Sequence, residues 1–268
     1  MATVAVTTTP SERSRIVSTV SDISVVIVRN LYRYVRQPQL LVFTFIQPVM
    51  FVLLFRYVFG GAIAVPGFNY VDFLMPGIIV QSISFGTAGT SVGLAEDIAN
   101  GMIDRFRSLP MARSAVLAGR TLADTIRTLF TILLMGGVGA LVGFRIHTDL
   151  LHTMVAIGLC LYFAMAFSWI AATIGLSVSS TEAAQTGGFI WLFPLTFASS
   201  AFVPVATMPG WLQVIANANP ITLTVNAARA LTIGGPTNPV LYQSLAWITA
   251  ILLVFGPIAI RKYRRMSS

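Results

Sequence analysis

Apolar residues in this chain come in long runs, and the polar positions between them are gathered into short clusters. Runs of about 20 apolar residues are long enough to cross a hydrocarbon layer of about 30 Å as helices. The first lies at about 40–59, "LLVFTFIQPVMFVLLFRYVF", interrupted only by Gln47, Pro48 and Arg56. Others follow at about 71–94, 115–144, 150–178, 187–205 and 240–260. In the third, Arg120, Asp124 and Arg127 place the opening turns at or below the lipid interface. The stretch "MPGWLQVIANANPITLTVNAARALTIGGP", between the fifth and sixth, is too polar and too broken by Pro209, Pro220 and Pro236 for a simple span. The pattern predicts an all-α polytopic membrane protein with six transmembrane helices.

Two further stretches repeat at helical spacing without being apolar all round. Ile16, Val20, Ile23, Ile27, Leu31 and Tyr34 recur every three or four residues, with Arg29, Arg33 and Arg36 opposite. Such a lead helix lies in the interface plane, and Pro38 breaks it before the first span. It serves as an anchor, a docking element, or both. Between the second and third spans stands "GMIDRFRSLPMARS". Here Ile98, Met102, Phe106 and Leu109 form a stripe while Asp97, Asn100, Asp104 and Arg107 point elsewhere; Pro110 ends the helix and Gly101 could divide it. A cytosolic helix of this kind seats an apolar ridge in a groove of another protein while charges set the register. A solvated basic loop would explain the arginines but not the stripe.

Composition sharpens this reading. Only 10% of the 268 residues are charged and 56% are hydrophobic, too little charge for the surface of a soluble domain. Fourteen of the 17 basic residues fall before the first span, after the sixth, or between the second and the lipid-crossing part of the third, whose opening turns carry Arg120 and Arg127. Arg145 and Arg229 stand in the opposite connections, and Arg56 sits late in the first span, where it could snorkel to headgroups. Basic loops stay cytoplasmic, so both termini are expected there. The net charge of +8 needs no nucleic acid, because anionic lipids account for it. The first 37 residues show no apolar core followed by a small-residue cleavage site, so span one is expected to act as an uncleaved anchor.

Several chemistries lack their residues. A phosphate-cradling G-x-x-x-x-G-K-[ST] loop needs a lysine, and the one lysine, Lys262, stands in "AIRKYRR". His147 and His152 flank "HTDLLH" five residues apart, a spacing that does not put both rings on one helical face for a metal. Cys160, the single cysteine, makes no intrachain disulfide. Serines are plentiful, but no matched base accompanies one as a hydrolase would need. The acids Asp72, Glu96, Asp97, Asp124 and Glu182 are read as lying near span ends, which argues against a proton relay.

The chain resembles the ABC-2 type permeases, and within them the daunorubicin-resistance branch of drug and lipid exporter subunits. The stretches that carry the resemblance are "MIDRFRSLPMARSAVLAGRTLADTIR", entering span three, and "FVPVATMPGWLQVIANANPITLTVNAARALTIGGP", from Phe202 to Pro236. It implies a bacterial cytoplasmic membrane permease that binds two copies of a separate ABC ATPase. That ATPase carries ATP and Mg, with no cofactor on this chain. The second permease copy would be identical, or a related chain in a heterodimer. Residues 1–37 would form the cytoplasmic tail and lead helix, 38–260 the transmembrane domain and 261–268 a basic cytoplasmic C-terminus.

Carried onto this sequence, the resemblance makes 96–110 a coupling helix. Glu96, Asp97, Ile98, Met102, Arg105, Phe106, Arg107, Leu109 and Pro110 would meet the ATPase, joined by Arg29 and Arg33 of the lead helix. Met208 to Arg229 would form short re-entrant or interfacial helices on the outer side. Val205 and Ala206 stand where relatives often carry an acid, which puts an outer-gate role for such an acid in doubt.

Independently of the family, Gly77, Gln81, Ser84, Ala88 and Ser91 share one face of span two, with Phe85 beside them. Small and polar residues on one face favour close helix packing or a solvated path. Span five offers Phe197, Ser199, Ser200 and Phe202 in a comparable mix. Gln81, Ser84, Phe85, Phe197, Ser200 and Phe202 are therefore the candidate substrate path for a hydrophobic or amphipathic compound. An ATP-independent channel or secondary transporter is the alternative, and a lipid-linked membrane enzyme would need a constellation that is not visible.

Overall fold

The computed structural model describes residues 28, 38–60, 67, 69–101 and 113–266. The lead helix, apart from Val28, and residues 102–112 of the coupling segment lie outside them. Among the described residues every regular element is helical. Helix α1 (Pro38–Leu53) starts on a proline, whose missing N–H costs nothing in a first turn, and runs on as a π-helical turn, Leu54–Phe59. Helix α2 (Tyr70–Ala99) and helix α3 (Arg113–Val142) are each 30 residues, about 45 Å. Helix α4 (Leu150–Gly175) is capped by the Asp149 carboxylate, which accepts from the His152 backbone N–H. Helices α5 (Thr181–Ile190) and α6 (Leu192–Phe197), a 3₁₀ turn (Val205–Thr207), α7 (Gly210–Ala218), α8 (Pro220–Ile233) and α9 (Thr237–Met266) complete the chain.

Helix α2 is the hub. It packs against α4, α5, α3 and α8, and α9 packs on α4 and α8. In its most apolar window 78% of the residues are buried, against 28% in α3 and in α9, so α2 is enclosed by protein while α3 and α9 present broad apolar flanks outward. Among the described residues four helices are long and apolar enough to cross a membrane: 70–99, 119–142, 150–175 and 237–265. Leu94 near the Ala99 end of α2 lies in one cluster with Ala172 and Leu176 of α4 and Ala259 and Tyr263 of α9. At the other end, the Asp72 carboxylate accepts from the Arg145 backbone N–H, between α3 and α4.

The expected fifth span, 187–205, is not one helix. It begins earlier, at Thr181 behind a Ser180 cap, breaks at Trp191, resumes at Leu192 and stops at Phe197. Pro194 removes one N–H from the second piece. The carbonyls left without helical partners are met by side chains. Asn219 Nδ2 donates to Leu195 O and Ala198 O. Arg229 donates to Ser200 O and Ala201 O, and the Tyr70 hydroxyl to Phe202 O. A broken helix at membrane depth is tolerated where its freed groups find such partners.

Together α5 and α6 lie antiparallel along α2. Ser91 Oγ donates to Ala184 O near one end, and Gly77 lies so close to Ala201 near the other that a Cβ there would sit 1.9 Å from the Ala201 carbonyl oxygen. Only glycine admits that approach.

Candidate functional site

Phenylalanines from four parts of the chain form a continuous ladder at this seam. Phe85 of α2 lies 5.8 Å from Phe189 and 5.2 Å from Phe193, between ring centroids. Phe193 stacks on Phe197 at 5.9 Å, and Phe197 on Phe202 at 5.6 Å. Phe202 then stacks on Phe55 at 4.7 Å and on Phe51 at 5.8 Å, and Phe55 continues to Phe59 at 5.3 Å. Local sequence explains the regularity. Phe51, Phe55 and Phe59 recur at i, i+4, i+8, as do Phe189, Phe193 and Phe197, so each set occupies one helical face. Phe193 and Phe197 are each about half exposed, while Phe85 and Phe202 are buried. The ladder thus presents an aromatic, uncharged face with one edge rooted in the protein.

Behind it the polar candidates are enclosed. Gln81, Ser84 and Ser200 are each no more than 2% exposed. Ser84 Oγ donates back to Val80 O in its own helix. Ser200 Oγ donates to Asn226 Oδ1 and accepts from Arg229 Nη1. Phe85, Phe197 and Phe202 are brought together on the ladder, whereas Gln81 and Ser84 lie on the α2 stripe facing α5 and α6. That stripe packs within this chain: Ala88 and Ser91 meet Gly188, and Gly77 meets Ala201.

Arg229 fixes the turn that carries Ser199 to Phe202. Its Nε donates to Phe73 O at 2.8 Å, Nη2 to Ser200 O at 2.7 Å and Ala201 O at 3.1 Å, and Nη1 to Ser200 Oγ and Asn226 Oδ1, each at 3.2 Å. The guanidinium carbon stands 3.5 Å from the centroid of the Phe73 ring. All five donors are used, a fit that a lysine cannot reproduce.

The opposite half of α2 is bound to α3 by charge. Asp97 pairs with Arg120 at 2.6 Å, Thr90 Oγ1 donates to Asp124 Oδ2 at 2.6 Å, and Arg127 Nη2 donates to Gly86 O at 2.8 Å. Arg127 Nε also stands 3.9 Å from Asp124 Oδ1. Asp124, expected near a span end, lies in the buried seam between the two helices. It is 5% exposed and reaches Thr90, and Arg127 reaches the middle of α2, because carboxylate, guanidinium, hydroxyl and carbonyl satisfy one another across the α2–α3 seam.

Residues 21–233 match the ABC-2 type transporter family. The chain belongs to that family. The daunorubicin resistance ABC transporter permease protein DrrB1 of Streptomyces coeruleorubidus is 34% identical over 240 residues, which is 90% of this chain and 85% of that protein. The probable doxorubicin resistance permease DrrC of Mycobacterium tuberculosis H37Rv is 27% identical over 242 residues, 90% of this chain and 87% of its own. The probable multidrug permease YbhR of Escherichia coli K12 is 25% identical over 205 residues, 75% of this chain and 54% of its own. This is a multi-pass membrane protein of the ABC-2 permeases, in the branch that includes the daunorubicin-resistance proteins.

For an ABC-2 permease, the segment between spans two and three is of special interest. Helix α2 carries Glu96, Asp97 and Ile98 and ends at Ala99, and Gly101, in the left-handed region at φ 64°, turns the chain. The helix that carries Ile98 therefore ends before Gly101. Ile98 packs on the cluster around Leu94, Leu176 and Tyr263, and Asp97 is engaged with Arg120. Met102, Arg105, Phe106, Arg107, Leu109, Pro110, Arg29 and Arg33 lie outside the described residues.

Sequence reasoning left Arg229 as a loop charge. Its signal was available: Ile221, Val225 and Arg229 recur every fourth residue, so the arginine shares the buried face of α8. His152, considered above with His147 for a metal, contacts Asp149 at the start of α4. The His152 backbone N–H, and then its ring, hold the Asp149 carboxyl below the usual carboxylate range. Among the described residues no three His, Cys, Asp or Glu side chains converge.

Proposed function

We propose that this chain is the transmembrane subunit of an ATP-driven exporter, moving a hydrophobic or amphipathic drug-like or lipid compound out of the cytoplasm or inner leaflet. The observation that carries the reading is the phenylalanine ladder. It joins span one to spans two and five in a single uncharged aromatic face, half of it open, on a framework otherwise locked by arginine. Such a face suits flat or greasy cargo and offers nothing to a hydrated ion.

Six crossings fit the direction of each element. Phe45 meets Phe130 while Phe55 meets Phe202, so α1 advances from the middle of the bundle toward the Tyr70 end. α5 and α6 run back along α2 from Ser91 to Gly77, the passage needed if α9 is to start at the Tyr70 end and finish beside Leu94. α7 and α8 then form the short outer or re-entrant pair, and α8 is stitched to the 145–148 connection through Thr148 Oγ1 and Leu231 O. In this reading the Ala99 end is cytoplasmic, both termini lie on that side, and residues 96–110 with Arg29 and Arg33 receive a separate ATPase in two copies. ATP and Mg reside on that partner, and a second permease chain, identical or related, completes the transporter in a bacterial cytoplasmic membrane. The names of the relatives, which concern daunorubicin and doxorubicin resistance, favour an amphipathic aromatic cargo.

Inside-out vesicles holding the permease with its ATPase should accumulate a fluorescent amphipathic aromatic compound only when given ATP. Phe193→Ala should reduce that uptake several-fold at an unchanged protein level. Uptake that persists without ATPase and follows a proton gradient would favour a secondary transporter instead.

A further inference from the structure

The ladder's register places at facing positions two polar side chains that nothing among the described residues satisfies. Phe85 and Phe193 meet across the α2–α6 seam, and the two helices run antiparallel. One turn back from Phe85 is Gln81; one turn on from Phe193 is Thr196. By helical register they fall at the next facing positions. Gln81 is 2% exposed and Thr196 is fully buried. Gln81 Nε2 and Thr196 Oγ1 both lack a hydrogen-bond partner. The hydroxyls around them are all engaged: Ser82 and Ser84 with their own helix, Ser199 with Thr196 O, and Ser200 with Asn226. Buried polar groups are ordinarily paired, and a pair left unmet on facing helices carries a standing cost that an incoming acceptor would relieve.

We propose that Gln81 and Thr196 form a recognition subsite for an acceptor oxygen, taking a carbonyl or ether of an uncharged, flat cargo whose rings lie on the adjacent phenylalanines. The inference rests on the ladder being the cargo face. A carbonyl oxygen has two lone pairs, so one atom can accept from the Gln81 amide and the Thr196 hydroxyl together. The stretches 77–91 and 184–201 contain no charged residue, which matches an uncharged ligand. In the present state the seam is shut over the subsite, so cargo reaches it when α5 and α6 part from α2. A hydrocarbon of the same shape would use the ladder and leave both donors unmet, which makes the subsite a device for choosing among apolar compounds.

The test uses the permease with its ATPase in nanodiscs, and radiolabelled fluorene and 9-fluorenone, which share a shape and differ by one carbonyl. Binding is read against empty nanodiscs. Wild type should bind fluorenone about tenfold more tightly than fluorene. Thr196→Val, close to isosteric, and Gln81→Leu should each shrink that preference to about threefold, and the double variant should abolish it. Phe193→Ala should weaken both probes alike. A preference undiminished in the double variant overturns the proposal. Equal binding of both probes by wild type, with Phe193→Ala weakening both, overturns the subsite and leaves the ladder standing. Absence of saturable binding of either probe overturns both.

Discussion

The two ends of α2 are both held by arginine, but by different chemistry. At the Tyr70 end a single guanidinium, Arg229, is spent on backbone carbonyls and on polar oxygens beside them. Toward the Ala99 end, Arg120 and Arg127 stand beside carboxylates, Asp97 and Asp124. Carbonyls cannot change their charge or leave the backbone, so the first arrangement is a fixed clamp for the broken end of span five. Ion pairs can be exchanged or re-registered by a shift of one helix along the other. The charged seam also leads toward Gly101 at the end of α2, whereas the clamp leads into α8. On the proposed reading, a transporter driven from one side needs one end of its central helix fixed and the other responsive, and this division of chemistry would serve that need.

Removing the clamp should have the largest effect. Arg229→Ala leaves Phe73 O, Ser200 O and Ala201 O in a buried site without their donor, at about 1–3 kcal/mol for each unsatisfied group, so a loss of about 3 kcal/mol or more is expected. Arg229→Lys should recover only part, since an ammonium cannot reproduce the fork. Thermal unfolding of the purified permease in detergent reads both. Near wild-type stability in Arg229→Ala would show that the clamp is not what holds the broken span.

A moderate effect is expected in the charged seam. Asp124→Asn and Arg127→Gln should each cost about 1–3 kcal/mol. Neutralising both should cost less than the two separate losses added together, because each single change strands the other charge beside α2. Strict additivity in this double-mutant cycle would mean that the two residues act independently and would remove the contrast between the two ends.

The smallest effect belongs to Asp149, outside the spans. Its carboxyl is held below the usual range by the His152 N–H, so the capped form contributes stability above the unfolded value, and this is lost as pH falls through the lowered one. Asp149→Ala should therefore shift the unfolding temperature slightly at neutral pH and not at all well below it. An equal shift at both would assign the change to something other than the cap.

Legibility followed continuity. Helices were readable at the second, third, fourth and sixth apolar runs because no proline breaks their centres; α2 and α9 extend their runs, to Ala99 and Met266, while α3 and α4 stop slightly short, at Val142 and Gly175. Span five was blurred, since Trp191, Pro194 and Phe197 are as apolar as a continuous span and hydropathy does not register a missing N–H. The ladder was half visible: Phe85, Phe197 and Phe202 were singled out, but Phe51, Phe55 and Phe59 join them only through the tertiary approach of α1. Charge counting hid Arg229, because it assigns that charge to a connection and has no place for one whose partners are carbonyls elsewhere in the chain, and it set Asp124 near a span end without its Thr90 partner.

The central claim is that the seam between α2 and the α5–α6 pair works in transport and does not serve only as packing. A cysteine pair tests it directly. A Cβ at Gly188 would lie 3.3 Å from the Ala88 Cβ, near the separation a disulfide requires. In a Cys160→Ala background, Ala88→Cys with Gly188→Cys should form an oxidised cross-link, abolish ATP-dependent uptake in vesicles with the ATPase present, and regain uptake on reduction, with each single variant active throughout. Full uptake by the cross-linked permease would contradict the account and return the stripe on α2 to helix packing alone.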